Sequence, residues 1–184
     1  MEREQAFDFL KQNLTNQNLI KHSLAVEAIM RALAEHFGQD KEKWGMVGLL
    51  HDIDYERVKS DLAQHSLVGA KMLEDAGFEK DICQAVKVHN EGHGIAPETL
   101  MEKAGYVVDP ISGLIVAAAL VLPSKKLADL TTKNVLNRFD EKSFARGANR
   151  QIIKKCEELL VLSLNDFARI SLEAMQGIAG DLGL

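Results

Sequence analysis

The 184-residue chain has only two cysteines, three prolines, one tryptophan and two tyrosines. Cys83 and Cys156 are far apart and form no C-x-x-C, so neither a disulfide framework nor a thiolate zinc site fits. They read as buried thiols in a reducing compartment, and a cytoplasmic location is expected. Scarce proline and aromatics, with abundant Ala, Leu, Lys and Glu, favour helices over a sheet. Basic excess is also missing. A formal charge of −5 argues against general nucleic-acid binding, which needs a cationic footprint. The opening MEREQAFDFL lacks the apolar stretch of a signal peptide. The longest apolar run, Gly113 to Leu122, is about half of a membrane span, so no membrane association is expected.

What remains is helical patterning. Hydrophobic residues make up 46% of the chain, enough for one domain with a sizeable core. Apolar positions recur with a period near 3.6, and no convincing alternating strand appears. The expected fold is all-α: a helical bundle spanning residues 1–184, with a core over about 18–122 and a helical extension over about 130–184. The spacing predicts helices over Arg3–Leu14, from an Asn16 or Asn18 cap to Phe37, from an Asp40 cap to His51, over Asp61–Ala76, and over Lys80–Asn90. Pro97 is expected to open the next helix. Asp109-Pro110 then reads as a break, with Asp109 as N-cap and Pro110 at the first position of a new helix. The amphipathic tail helices could support a homodimer.

The histidines carry the chemistry. The apolar stripes read Leu19, His22, Val26, Ile29, Leu33; then Trp44, Val47, Gly48, His51; then Leu62, His65, Gly69, Met72, Ala76; then Ile82, Val86, His89. Each of four consecutive helices places one histidine on its packing face. Four separate buried imidazoles would each need a partner, whereas one metal site on facing helices satisfies them together. The segment GLLHDIDYE sharpens this, because an apolar run ends on His51-Asp52 with Asp54 and Glu56 following. Buried charge there costs several kcal/mol unless something pairs with it, on the order of a few kcal/mol per unpaired group. His36 lies about 21 Å along the helix from His22 and reads as solvated. His93, between two glycines, reads as a loop-tip residue that could reach a substrate or simply face solvent.

The ordered series His22, His51-Asp52, His65, His89 and a later aspartate resembles the HD superfamily of metal-dependent phosphohydrolases, and most of all the compact bacterial HDIG-type hydrolases. The likeness covers roughly Lys21 to Val121. It implies that His22, His51, Asp52 and the late aspartate hold one metal. It also implies that His65 and His89 serve a second ion or the substrate phosphate. Asp109 is favoured over Asp129 as the late aspartate, since Val107, Val108, Ile111 and Leu114 surround it whereas Asp129 follows two lysines. The chain departs from the HDIG type after the dipeptide: Asp54 and Tyr55 replace the usual glycine and lysine. Asp54 or Glu56 could act as general base, support a ligand, or form a solvated acidic loop.

Nitrogen and carboxylate ligands suit one or two divalent ions among Mn, Fe, Co, Ni, Zn and Mg. The expected reaction is metal-activated water attacking a phosphomonoester or phosphodiester of a small metabolite, a nucleotide among the candidates. Asp52 would ligate and hold the water, and Asp54 would move a proton. Candidate phosphate contacts are Lys125, Lys126 and Arg57, with His93 and Arg150 as further candidates. The competing functions are a di-iron oxygenase on the same fold and a non-catalytic nucleotide-binding signalling domain.

Overall fold

The computed structural model describes residues 1–184 and contains no strand. The helices are α1 (Arg3–Asn13), α2 (Gln17–His36), α3 (Lys41–Leu50), α4 (Tyr55–Val58), α5 (Leu67–Asp75), α6 (Lys80–Val88) and α7 (Leu100–Leu120). The tail adds α8 (Thr132–Asp140), α9 (Arg150–Lys154), α10 (Cys156–Leu159), α11 (Leu164–Gly177) and α12 (Ala179–Leu182). The all-α bundle expected from the patterning is the observed fold. One cluster of 48 buried hydrophobic residues runs from Ala6 to Leu182, so the tail helices share the core of the first seven.

Side-chain caps set several starts. Asn16 accepts from the Asn18 N–H, and Asp40 accepts from the Glu42 and Lys43 N–H groups. These starts aim α2 and α3 at each other, and a glycine sets their separation. A Cβ on Gly48 would stand 2.7 Å from the Glu27 Cα and from the Val26 carbonyl oxygen. Only a residue without a side chain lets the two backbones come so close. His22 lies one turn before Val26 and His51 lies three residues after Gly48. The same close crossing therefore brings the two imidazoles together.

Three expectations from the sequence are corrected. Pro110 does not break the chain: Leu100–Leu120 is one helix with Pro110 inside it, capped by Thr99 instead of opened by Pro97. A helix-interior proline costs about 3 kcal/mol. Val107, Val108, Ile111, Leu114 and Ile115 are all essentially fully buried around it, and each contributes about 1.5–3 kcal/mol. Burial outweighs the lost hydrogen bond, and Asp109 becomes a mid-helix residue instead of a cap. As a result α7 is long and apolar enough to cross a bilayer by length and composition, though most of it is buried in this fold. Finally, His65 is not helical. It follows a 3-10 turn at Leu62–Gln64, and α5 begins only at Leu67 after Ser66 at φ 70°.

Candidate metal centre

Six places along the chain deliver the site. His22 comes from α2, His51 from the end of α3, Asp52 from the following turn, His89 from the end of α6 and Asp109 from the middle of α7. His65 comes from the loop before α5. Asp52 is central. Its Oδ2 lies 3.6 Å from His22 Nε2 and 3.4 Å from His51 Nε2, and its Oδ1 lies 3.2 Å from His65 Nε2 and 3.6 Å from His89 Nε2. Asp109 Oδ1 reaches His22 Nε2 at 3.1 Å. Two groups thus share one carboxylate: His22, His51 and Asp52 on one side, and Asp52, His65 and His89 on the other.

The far nitrogen of each ring is anchored by an acceptor. His51 Nδ1 meets the Gly48 carbonyl at 2.9 Å, and His89 Nδ1 meets the Val86 carbonyl at 2.6 Å. His65 Nδ1 meets Asp54 Oδ1 at 2.8 Å. The Ser112 hydroxyl donates to the Asp109 carbonyl, which leaves its oxygen to accept from His22 Nδ1 at 3.1 Å. With a proton on every Nδ1, each neutral ring turns the Nε2 lone pair inward. His22 and His51 then face each other Nε2 to Nε2 at 3.1 Å, and His89 Nε2 is buried with no hydrogen-bond partner. Lone pairs at that spacing repel unless a cation lies among them. The donor set therefore fits a divalent ion: His22, His51, Asp52 and Asp109 could hold one, and Asp52, His65 and His89 another.

Burial pulls the His51 imidazole down, but the adjacent Asp52 charge outweighs it and raises it to about 9. His65, between Asp52 and Asp54, is likewise raised to about 10 against its burial. Burial pushes the Asp52 carboxyl up, and His51 with the neighbouring imidazoles brings it well below the usual range. Asp109, half-exposed at the cleft, is lowered as well, the pull of His22 exceeding the opposing desolvation.

Other candidates fall elsewhere. Asp54 is fully buried, with Oδ1 on His65 and Oδ2 accepting from the Gly69 N–H at 2.7 Å. Of the roles the sequence left open to it, its contacts are those of a support for His65, with neither oxygen left free as a general base would need. Glu56 accepts from the Thr15 N–H and so braces the entry to α2. His93 does not reach outward: its Nε2 donates to the His65 carbonyl at 2.6 Å. Arg57 lines a different groove with Lys71 and Asp75. Lys125 and Lys126 lie beyond the end of α7, and Asp129 lies in a 3-10 turn; none of the three lines the cleft. Arg150 is spent on main-chain carbonyls of residues 138–148, at distances from 2.5 Å for Phe144.

The cleft over the histidines has a volume of about 340 Å³. Leu19, Tyr55, Asn90 and Glu91 line it beside the metal-centre residues. Sequence reasoning missed these four as site residues, and it also missed Ser112. Ser112 had one usable signal, its place one helical turn after Asp109. Tyr55 stood out only as the residue in place of the usual lysine, and Glu91 carried no signal, since its orientation depends on the turn after His89.

A family model described as HD domain matches residues 19–129. The chain belongs to the HD domain family. The matched span contains all six metal-centre residues, and HD domains bind divalent metals, as the geometry here allows. Ribonuclease Y of Nitratidesulfovibrio vulgaris is 33% identical over 142 residues, covering 74% of this chain and 27% of that protein. The chain thus spans about a quarter of the length of the ribonuclease Y relatives it matches. An uncharacterized protein of Methanocaldococcus jannaschii is 30% identical over 177 residues, covering 90% of this chain and 96% of the relative. A symmetrical bis(5'-nucleosyl)-tetraphosphatase of Bacillus subtilis is 32% identical over 132 residues, covering 60% of this chain and 69% of the relative. No solved structure matches the chain significantly.

Proposed function

We propose that this HD domain chain is a metal-dependent phosphohydrolase acting on a small phosphorylated metabolite of the nucleotide type. The observation that carries the reading is the convergence of four Nδ1-anchored imidazoles on the two oxygens of one buried carboxylate. The likeness to a tetraphosphatase supports a nucleotide substrate. In this reading His22, His51, Asp52 and Asp109 hold one ion, and Asp52, His65 and His89 a second.

A bound divalent ion supplies a water acidified to near neutrality and neutralises charge on the phosphoryl oxygens. The chain's own residues do the rest. Asp52 would ligate both ions, Oδ2 beside His22 and His51 and Oδ1 beside His65 and His89, and would hold the water that the metal activates. The anchors Gly48, Val86, Asp54 and Ser112 hold the rings, so no reorganisation is needed during reaction. Glu91 lines the cleft and accepts from Asn149 through Oε1 only. Its other oxygen accepts no hydrogen bond, so it is available to exchange a proton with the leaving group, the role that the burial of Asp54 denies that residue.

The test is metal analysis of the purified protein, then hydrolysis of an aryl phosphate, an aryl phosphodiester and a nucleotide panel with added Mn or Co. Wild type is expected to exceed Asp52→Ala by at least ~10²-fold in kcat. Turnover no greater than that of the variant, or an iron-loaded protein that consumes oxygen instead, overturns the reading.

A further inference from the structure

A cavity of about 510 Å³ does not lie over the histidines but opens directly beside them. His22 is common to its wall and to the wall of the metal cleft. Between the two runs a smaller cavity of about 160 Å³, bordered by His22, Asp109 and Gly113. Gly113 belongs to both the smaller cavity and the large one, and a Cβ there would meet nothing within 4 Å. The three spaces share walls at His22, Asp109 and Gly113 and so line up as a groove along the exposed side of α7. From Asp109 to Leu120 it runs eleven residues, ~16 Å of helix.

The groove changes character along its length. At the metal end it is walled by imidazoles and carboxylates. At the far end it is walled by Val116, Ala117, Leu120 and Leu182. In the large cavity Lys21 contributes the single lysine or arginine found in the lining of the three spaces. Its Nζ extends toward Gly183 and belongs to no ion pair. A volume of this size falls within the range of small-molecule sites, which are mostly apolar with a few placed polar groups.

We infer that this groove binds the organic end of the substrate, and that the substrate is a nucleoside polyphosphate. The reacting phosphoryl group lies at the metal centre, the phosphate chain crosses Gly113 to the Lys21 ammonium, and the nucleoside lies on the apolar wall of α7 and Leu182. The inference rests on the proposed hydrolase reading and adds the substrate class. It also supplies the cation that Lys125, Lys126 and Arg57 do not bring to the site.

The experiment compares wild type, Gly113→Leu, which fills the passage, and Lys21→Ala. The probes are phenyl phosphate, which needs only the metal cleft, and ATP and diadenosine tetraphosphate, which need the whole groove. Calorimetric binding of a methylene-bridged, non-hydrolysable ATP analogue is the readout independent of turnover. The expected result is a nucleotide-to-phenyl-phosphate kcat/KM ratio at least 10-fold lower in both variants, carried by KM, with unchanged metal content. Analogue binding should weaken by a similar factor. If wild type binds the analogue through Gly113 and Lys21 but hydrolyses nothing, the inference stands and the hydrolase reading fails. An unchanged ratio in both variants overturns the inference while leaving the hydrolase reading intact. Absence of analogue binding to wild type also overturns it.

Discussion

Asp54 shows how much of a metal centre lies one residue behind the ligands. Its carboxylate accepts from His65 Nδ1 and from the Gly69 N–H, and a Cβ on Gly69 would lie 3.2 Å from it. Removing it leaves His65 free to rotate and two buried donors without partners. Asp54→Ala is therefore expected to weaken the ion held by Asp52, His65 and His89 by ~10–100-fold. The group at His22 and His51, anchored by Ser112 and Gly48, should be spared. Metal titration followed by elemental analysis separates the two. Equal weakening of both groups, or of neither, removes Asp54 from this role.

At the scale of elements, two glycines make opposite demands. Gly48 lies at the α2–α3 crossing, where an added Cβ would meet main chain at 2.7 Å. Main chain cannot step aside as a flexible side chain can, so Gly48→Ala should destabilise the fold by about 1–3 kcal/mol. It should also spread His22 and His51 and lower the affinity of their ion. Gly113 faces open space within α7, where glycine itself costs about 0.5–1 kcal/mol relative to alanine. Gly113→Ala should accordingly raise the denaturation midpoint. Chemical denaturation of the pair checks both signs, and a Gly48→Ala midpoint equal to wild type would show that the close crossing is not required.

For the whole molecule, the site ties distant parts of the chain into one equilibrium. The candidate ligands come from α2, the α3–α4 turn, the loop before α5, the end of α6 and α7, so an ion would bind the folded chain and not the unfolded one. Metal at ~100 times its Kd should add ~2.7 kcal/mol of stability, lost on chelation and visible as a lower Tm. Protons compete for the same nitrogens. Because the metal-free His51 and His65 are raised to about 9 and about 10, an ion binding at neutral pH must displace protons. Apparent metal affinity should rise as pH climbs from neutral toward about 9. Calorimetry in two buffers of different ionisation enthalpy should show proton release, and equal heats in both would contradict it.

The sequence by itself determined the helical class and drew attention to the histidines, because period-3.6 patterning and side-chain chemistry are local properties. His22, His51, His65, His89 and Asp52 stood out because imidazoles and a carboxylate on apolar stripes are costly to bury without a shared cation. Long-range packing decided the rest. Asp109 looked like a cap because proline usually ends a helix, and only burial on both sides of Pro110 shows why α7 continues. Asp54 looked free because no local pattern reveals that Gly69 leaves room for its carboxylate beneath His65. Lys125 and Lys126 looked available because proximity in sequence says nothing of the ~16 Å of helix between Asp109 and the end of α7. The groove past Gly113, with Lys21 at its edge, exists only once the tail residues Leu182 and Gly183 close against α2. Such a cavity is a property of surfaces brought together from the two ends of the chain, and no single stretch of residues encodes it.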